Sequence, residues 1–292
     1  MADQAEKLKD LAANKPVGRG GPVKKVRVIT ITSGKGGVGK TNLTVNLALA
    51  LARMNKKVAI FDADFGMANV DILLGMIPRH NMYHVVRGEK NLQDIILDGP
   101  LGVKVVPGST GFMEMANLNS AQRRQLLKQL MKLEETVDTI LIDTGAGLSK
   151  SVLGFITAAH DVLLVTNPEP TSITDAYSIA KVMGQYKLHQ EVNLVLNQVR
   201  NSQEGQEVAD RFSRVTQNYL QLSVNYMGCI LSDPVVPRSV REQNPFYVSF
   251  PRSKAAEGIA GIAVNLVGGP RGAVRERGGL GGFFNKLSKI FS

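Results

Sequence analysis

Apolar residues fall along this chain in short, continuous, β-rich runs separated by longer stretches in which they recur with helical period. The runs lie near residues 25–32, 57–62, 103–107, 137–143, 161–166, 192–197 and 225–231, with helices between most of them. This alternation is the rhythm of a parallel sheet, because β and α units taken in turn bury a sheet on both faces. The predicted fold is α/β: a mostly parallel twisted sheet of about seven or eight strands with helices on both faces, carrying its ligand at the carboxyl ends of the strands.

Two segments break the pattern. Residues 1–23 are polar and close on Pro16, Gly18, Gly20, Gly21 and Pro22, which predicts a short helix and a flexible linker. Residues 24–267 form the domain, and residues 268–282 carry seven glycines in fifteen positions, the composition of a tether. In the closing segment 283–292, Phe283, Phe284, Leu287, Ile290 and Phe291 share one helical face, with Asn285, Lys286, Ser288 and Lys289 on the other. Such a helix either lies in an anionic membrane surface or docks on its own domain; the glycine tether and the lysines of the polar face favour the membrane.

Composition narrows the class. With 43% hydrophobic and 21% charged residues in 292, the chain is a globular protein of one large domain plus tails. Cys229 is the single cysteine, so an intrachain disulfide, a CxxC pair and a thiolate cluster are excluded, and a reducing cytosol is expected. No run of 18 apolar residues is present, and the polar, acid-bearing first 25 positions predict no signal peptide. The net charge of +10 sits on the tails: residues 1–27 hold seven basic and three acidic side chains, and residues 271–292 hold five and one. The body is nearly neutral, so no specific nucleic-acid partner is expected.

The chemistry concentrates where the first strand meets the first long helix. Ser33, Gly34, Lys35, Gly36, Gly37, Val38, Gly39, Lys40, Thr41 and Asn42 form a glycine-rich turn whose backbone N–H groups can wrap phosphate oxygens at a helix N-terminus. Gly34, Gly36 and Gly39 fit the dinucleotide pattern G-x-G-x-x-G, with Asp62 as a ribose-binding acid. The same stretch reads G-x-x-x-x-G-K-T, in which Lys40 reaches β- and γ-phosphates and the Thr41 hydroxyl ligates Mg²⁺; a dinucleotide loop needs neither, so a triphosphate is favoured. Acids should then end neighbouring strands, and Asp62 and Asp64 close VAIFDADFG as Asp143 closes TILIDTGAG. His80 and His84, four apart with no third ligand, are read as surface or turn residues. Phe112, Met113 and Met115 are read as packing in a dimer interface.

With Lys35 inside the loop, the pattern K-G-G-x-G-K-T resembles the deviant Walker A motif of the MinD/ParA family of dimerising ATPases, and the likeness extends over roughly residues 24–267 through Asp62–Gly66, Asp143–Gly147 and TNPEPTSITDA. The resemblance implies a homodimer closing face to face over two ATP molecules, with Lys35 reaching the partner's nucleotide, Asp64 positioning the attacking water, and Thr41, Asp62 and Asp143 around Mg²⁺. It also implies that Asn197 reads adenine, with Arg200 in the same run. The sequence Asn197-Gln198-Val199-Arg200 lacks the guanine-specific N-K-x-D, and the other reading of Asn197 is an ordinary turn residue.

At the other end, Asp3, Gln4, Ala5 and Leu8 fall in a segment similar to the D-Q-A-x-x-L-R element of the flagellar FlhG (FleN) branch of the family, with Lys9 in place of arginine. That branch implies an FlhF-type GTPase partner, a flagellar switch-complex protein or master transcription activator, control of flagellar number and placement, and a cytoplasmic protein peripherally attached to the inner membrane when ATP-bound. A ParA-type ATPase positioning DNA or cargo is the alternative. Iron–sulfur carriers and nitrogenase-like reductases of the same family need cysteines that this chain lacks.

Overall fold

The computed structural model describes residues 26–64, 69–108, 118–268 and 279–291, apart from the side chains of Ser120 and Phe291. Eight strands form one sheet: β1 (Arg27–Ser33), β2 (Val58–Ala63), β3 (Leu97–Asp98), β4 (Lys104–Val106), β5 (Thr139–Ala146), β6 (Asp161–Thr166), β7 (Glu191–Val199) and β8 (Ser223–Leu231). Their order is β3-β4-β2-β5-β1-β6-β7-β8. Every pairing is parallel except β3 with β4. The expected architecture is met, and the strand absent from the sequence reading is β3, whose two residues are too short to carry a period.

Alternation along β1 sets the two layers. Ile29 and Ile31 face the helices α1 (Lys40–Arg53) and α11 (Lys254–Gly268), where Leu43, Leu47, Ile259 and Ile262 complete one core. Val28 points to the opposite face, together with Phe61 and Ile142, toward α5 (Ser120–Thr136) and α6 (Lys150–Ala158). A third cluster joins α6 to α7 (Pro170–Gln185) and α8 (Ser202–Leu220) over β6 and β7. Short helices α2 (Val70–Leu73), α3 (Met82–Val86), α4 (Leu92–Ile95), α9 (Val235–Arg241) and α10 (Phe246–Ser249) complete the connections. Because the chain leaves β1 toward β2 on one side and later places β6 on the other, the carboxyl end of β1 is a topological switch point, where a crevice opens between diverging connections.

The last helix, α12 (Gly279–Phe291), departs from the sequence reading in boundary and in environment. It begins inside the segment expected to be tether, while α11 extends to Gly268 at the tether's other end; residues 269–278 lie outside the described residues. Its apolar face is packed on the domain: Leu280, Phe283, Phe284, Leu287 and Ile290 are buried. The Phe283 ring stacks on Phe155 of α6 with centroids 6.3 Å apart, and Phe284 meets Phe61 of β2 at 6.1 Å. Glu134, near the end of α5, accepts from the Leu280 N–H at 3.3 Å and caps the first turn. The docked arrangement is therefore the one this structure holds, because an apolar trough built from β2, α5 and α6 covers the stripe that a bilayer would also accept. Among the described residues, no helix is long and apolar enough to cross a membrane.

Candidate nucleotide site

The glycine-rich turn connects β1 to α1 at the switch point. Gly37 and Gly39 take positive φ of 79° and 88°, a conformation that side chains resist, and Gly39 caps α1 with no side chain bonding the first N–H groups. The uncapped helix end carries partial positive charge into the crevice. Gly34 lies against the backbone of Asp175 and Ala176 in α7, so closely that a Cβ would overlap it. Val38 is buried, and its carbonyl accepts from Asn197 Nδ2 at 2.8 Å, while Asn42 sits in the first turn of α1 with its carbonyl accepting from Asn46.

Parallel registry brings the acids together. Asp62 of β2 is aligned with Asp143 of β5, and Asp143 is aligned with Ile31 of β1. Asp143 is fully enclosed, accepts from Thr41 Oγ1 at 2.7 Å and lies 3.4 Å from Lys40 Nζ, itself buried. A third donor is Thr44 Oγ1 at 2.9 Å, a residue that sequence reasoning missed because a threonine one turn into a helix looks ordinary. Burial raises the Asp143 carboxyl above its usual range, opposed by the Lys40 ammonium and the two hydroxyls. Among the described residues no lysine is bonded to Asp62: burial, then the Asp143 carboxylate, push it up to about 7 despite hydrogen bonds from the N–H groups of Asp64, Asn69 and Val70. These contacts tie Asp62 to the backbone of Asp64 and of Asn69 and Val70; residues 65–68 lie outside the described residues. Gly145 leaves room for Asp64, whose Oδ1 would stand 3.5 Å from a Cβ added there.

The crevice thus holds two carboxylates, two hydroxyls and one buried ammonium, hard oxygen and cationic groups in which the carboxylates outnumber the cation. Such a donor set fits Mg²⁺ shared with phosphate and water. Among the described residues, no group of three or more His, Cys, Asp or Glu side chains could hold an ion without such help.

Lys35 stands apart. Its Nζ lies 2.9 Å from Glu169 Oε2 and 3.0 Å from Thr171 Oγ1, on the exposed rim of the loop, whereas Lys40 points inward. The residues expected at the base are tied up: the Asn197 amide bonds Val38 O and the Gln198 N–H, and Arg200 grips Glu204 at 2.8–3.0 Å in solvent. His84 bonds the Asn81 N–H in a capping box, and His80 packs edge-on to it at 5.0 Å, which is a turn role. Asp3, Gln4, Ala5 and Leu8, together with Phe112, Met113 and Met115, lie outside the described residues.

Comparison with known proteins agrees with this geometry. The AAA domain family matches residues 26–197. Antiactivator FleN of Pseudomonas aeruginosa is 39% identical over 267 residues, spanning 91% of this chain and 95% of its own length. Flagellum site-determining protein YlxH of Helicobacter pylori is 34% identical over 268 residues, 90% of each chain. Among solved structures, the septum site-determining protein MinD of Pyrococcus horikoshii in complex with Mg-ADP superposes with a TM-score of 0.65 at 28% identity, covering 84% of this chain and 98% of that one. A lysine-bearing loop at the switch point of a mostly parallel sheet, with relatives aligned along nine-tenths of the chain, makes this protein a P-loop ATPase of the MinD/ParA family.

Proposed function

We propose that the protein is an ATP-dependent, dimerising ATPase that controls the number and placement of flagella and attaches peripherally to the inner membrane from the cytoplasm. The observation that carries this reading is the division of labour between two lysines of one loop: Lys40 is buried on Asp143, whereas Lys35 is at the rim, paired with Glu169 rather than turned in toward Asp62 and Asp143. An ammonium on the rim is available to a nucleotide on a facing subunit, where it would stabilise charge developing on the leaving phosphate. A relative named as the antiactivator FleN and another named for flagellum site determination support the biological role.

In this reading the loop N–H groups and Lys40 bind the phosphates of ATP, and Thr41, Asp62 and Asp143 would hold Mg²⁺, which would supply charge neutralisation to the triphosphate. Asp64 orients water for attack on the γ-phosphorus as the bond to the bridging oxygen breaks. Asn197 keeps the loop apex in place through Val38, and with Arg200 it lines the side where a base would sit. Residues 1–23, including Asp3, Gln4, Ala5 and Leu8, dock on an FlhF-type GTPase, and other surfaces meet a flagellar switch-complex protein or a master transcription activator.

Membrane attachment requires α12 to leave the domain. Burying a large apolar side chain is worth about 1.5–3 kcal/mol whether protein or lipid does it, so exchanging one for the other is close to neutral for the helix itself. The cost is the vacated trough, lined by Phe61, Phe155, Leu126 and Leu130. Phe61 immediately precedes Asp62, and α6 follows the Asp143–Gly147 segment, so the trough is built from elements that end at the nucleotide. Two helices on one dimer would add avidity to a weak anchor. Liposome co-sedimentation with ADP or a non-hydrolysable ATP, using the full chain and one ending at Gly278, tests the proposal. Sedimentation of the full chain with the ATP analogue alone is expected; equal sedimentation of the shortened chain would overturn the role of α12.

A further inference from the structure

Resting on the reading that Thr41 and Asp143 serve Mg²⁺ and Lys40 serves phosphate, we infer that Thr44 is a positioning residue that keeps the Asp143 carboxylate aimed at the metal once its other resting partners have turned to the nucleotide. Three groups divide the two oxygens of Asp143. Thr41 Oγ1 donates to Oδ2 at 2.7 Å. Thr44 Oγ1 donates to Oδ1 at 2.9 Å, and Lys40 Nζ stands 3.4 Å from that same oxygen. Thr41 and Thr44 lie three residues apart on α1, so one face of the helix meets both oxygens and sets the plane of the carboxylate. The Thr44 hydroxyl also lies 3.0 Å from the carbonyl oxygen of Lys40, and a β-branched side chain has few rotamers in a helix. Its place is therefore fixed by the backbone of α1, wherever the Lys40 side chain points.

Nucleotide gives two of the three groups other work. The Lys40 ammonium would turn to phosphate oxygens, and the Thr41 hydroxyl would ligate Mg²⁺. Thr44 is completely enclosed and keeps its bond. A carboxylate released on both oxygens is free to rotate, whereas one oxygen held by a hydroxyl leaves the other turned toward the cation. The hydroxyl is neutral, so it orients the acid without bringing a positive charge that would oppose the metal. Asp143 is buried as well, so bulk water does not readily replace a donor lost there.

The test is ADP binding to the full chain by isothermal titration calorimetry, in Mg²⁺ and in excess EDTA, for wild type, Thr44→Val, Thr44→Ser, Asp143→Asn and Thr44→Val combined with Asp143→Asn. The gain in affinity that Mg²⁺ gives wild type should shrink about tenfold or more in Thr44→Val, as is usual when a group orienting a metal ligand is removed. Metal-free ADP affinity should stay close to wild type, which shows that the loop is still folded. Thr44→Ala, which removes the hydroxyl without adding a methyl group, should repeat the result. Thr44→Ser keeps the donor and should restore most of the gain, and Thr44→Val should cost nothing further beside Asp143→Asn. An undiminished Mg²⁺ gain in Thr44→Val and Thr44→Ala overturns the inference. So does an equal loss of affinity with and without the metal, because the hydroxyl would then matter only to the fold. A Mg²⁺ gain that survives Asp143→Asn would instead refute the assignment of that acid to the metal, on which the inference rests.

Discussion

Asp62→Asn should stabilise the protein free of nucleotide and Mg²⁺, and the gain should depend on pH in a way the site dictates. Asp62 is buried beside the Asp143 carboxylate, and these two causes raise its pKa from 3.8 to about 7. Between those values the folded chain binds a proton that the unfolded chain has released, so stability falls as pH rises from about 4 to about 7 and is level above. Three units at about 1.4 kcal/mol each amount to roughly 4 kcal/mol lost by pH 8. An amide avoids that penalty and keeps an oxygen for the N–H groups of Asp64, Asn69 or Val70, which now bond the carboxylate. Urea denaturation at pH 8 should show the variant more stable by up to about 4 kcal/mol, shrinking to about 1–2 kcal/mol at pH 5. Saturating Mg²⁺ and nucleotide should narrow the pH 8 difference, since wild type alone gains a cation beside its second carboxylate. A variant less stable than wild type at pH 8 would refute the reasoning, as would a difference that does not change with pH.

Other consequences follow from single contacts. Phe283→Ala should lift α12 off the domain, so that adding Phe284→Ala costs far less than the roughly 3–5 kcal/mol of a second independent core deletion; hydrogen exchange of residues 279–291 reads the release, and full additivity with the helix still protected would contradict it. Thr44→Val removes a donor 2.9 Å from the buried Asp143 carboxylate and should cost about 1.5–3 kcal/mol in urea denaturation, a neutral result counting against its place in the site. Gly34→Ala drives a Cβ into the Asp175 backbone, and by displacing the loop from α7 it should weaken ATP binding at least tenfold in equilibrium titration; wild-type affinity would show that the contact is slack.

The parts of this site that were legible in the sequence are those that strand ends and glycine spacing define. Lys40, Thr41, Asp62 and Asp143 sit where a strand must stop and a turn begin, so their neighbourhood follows from the sheet alone. Thr44 carries no such mark, because its hydroxyl matters only through a carboxylate 99 residues away. Glu169 and Thr171 lay within a motif that was recognised, yet their contact with Lys35 depends on α7 crossing the loop, which local pattern does not encode. The amphipathic stripe of α12 was visible, but periodicity shows that a helix has an apolar face and is silent on which surface covers it. Here the matching trough came from Phe61 and Phe155, positions that otherwise read as ordinary core. Asn197 was expected at the base, and its amide was found holding Val38 O, a bond that only the approach of β7 to the loop creates.

The proposal that each catalytic site is shared between two subunits is tested most directly by mixing Lys35→Gln with Asp64→Ala, each expected to be inactive alone, and measuring phosphate release. If Lys35 crosses to the partner, a mixed dimer contains one intact site, with Asp64 from one subunit and the lysine from the other, and equimolar mixing should restore activity toward about a quarter of wild type for random pairing of a two-fold dimer. If the lysine serves its own subunit, both sites of the mixed dimer are damaged. Activity of the mixture no higher than the sum of the two variants alone, with mixed dimers present, would contradict the crossing lysine.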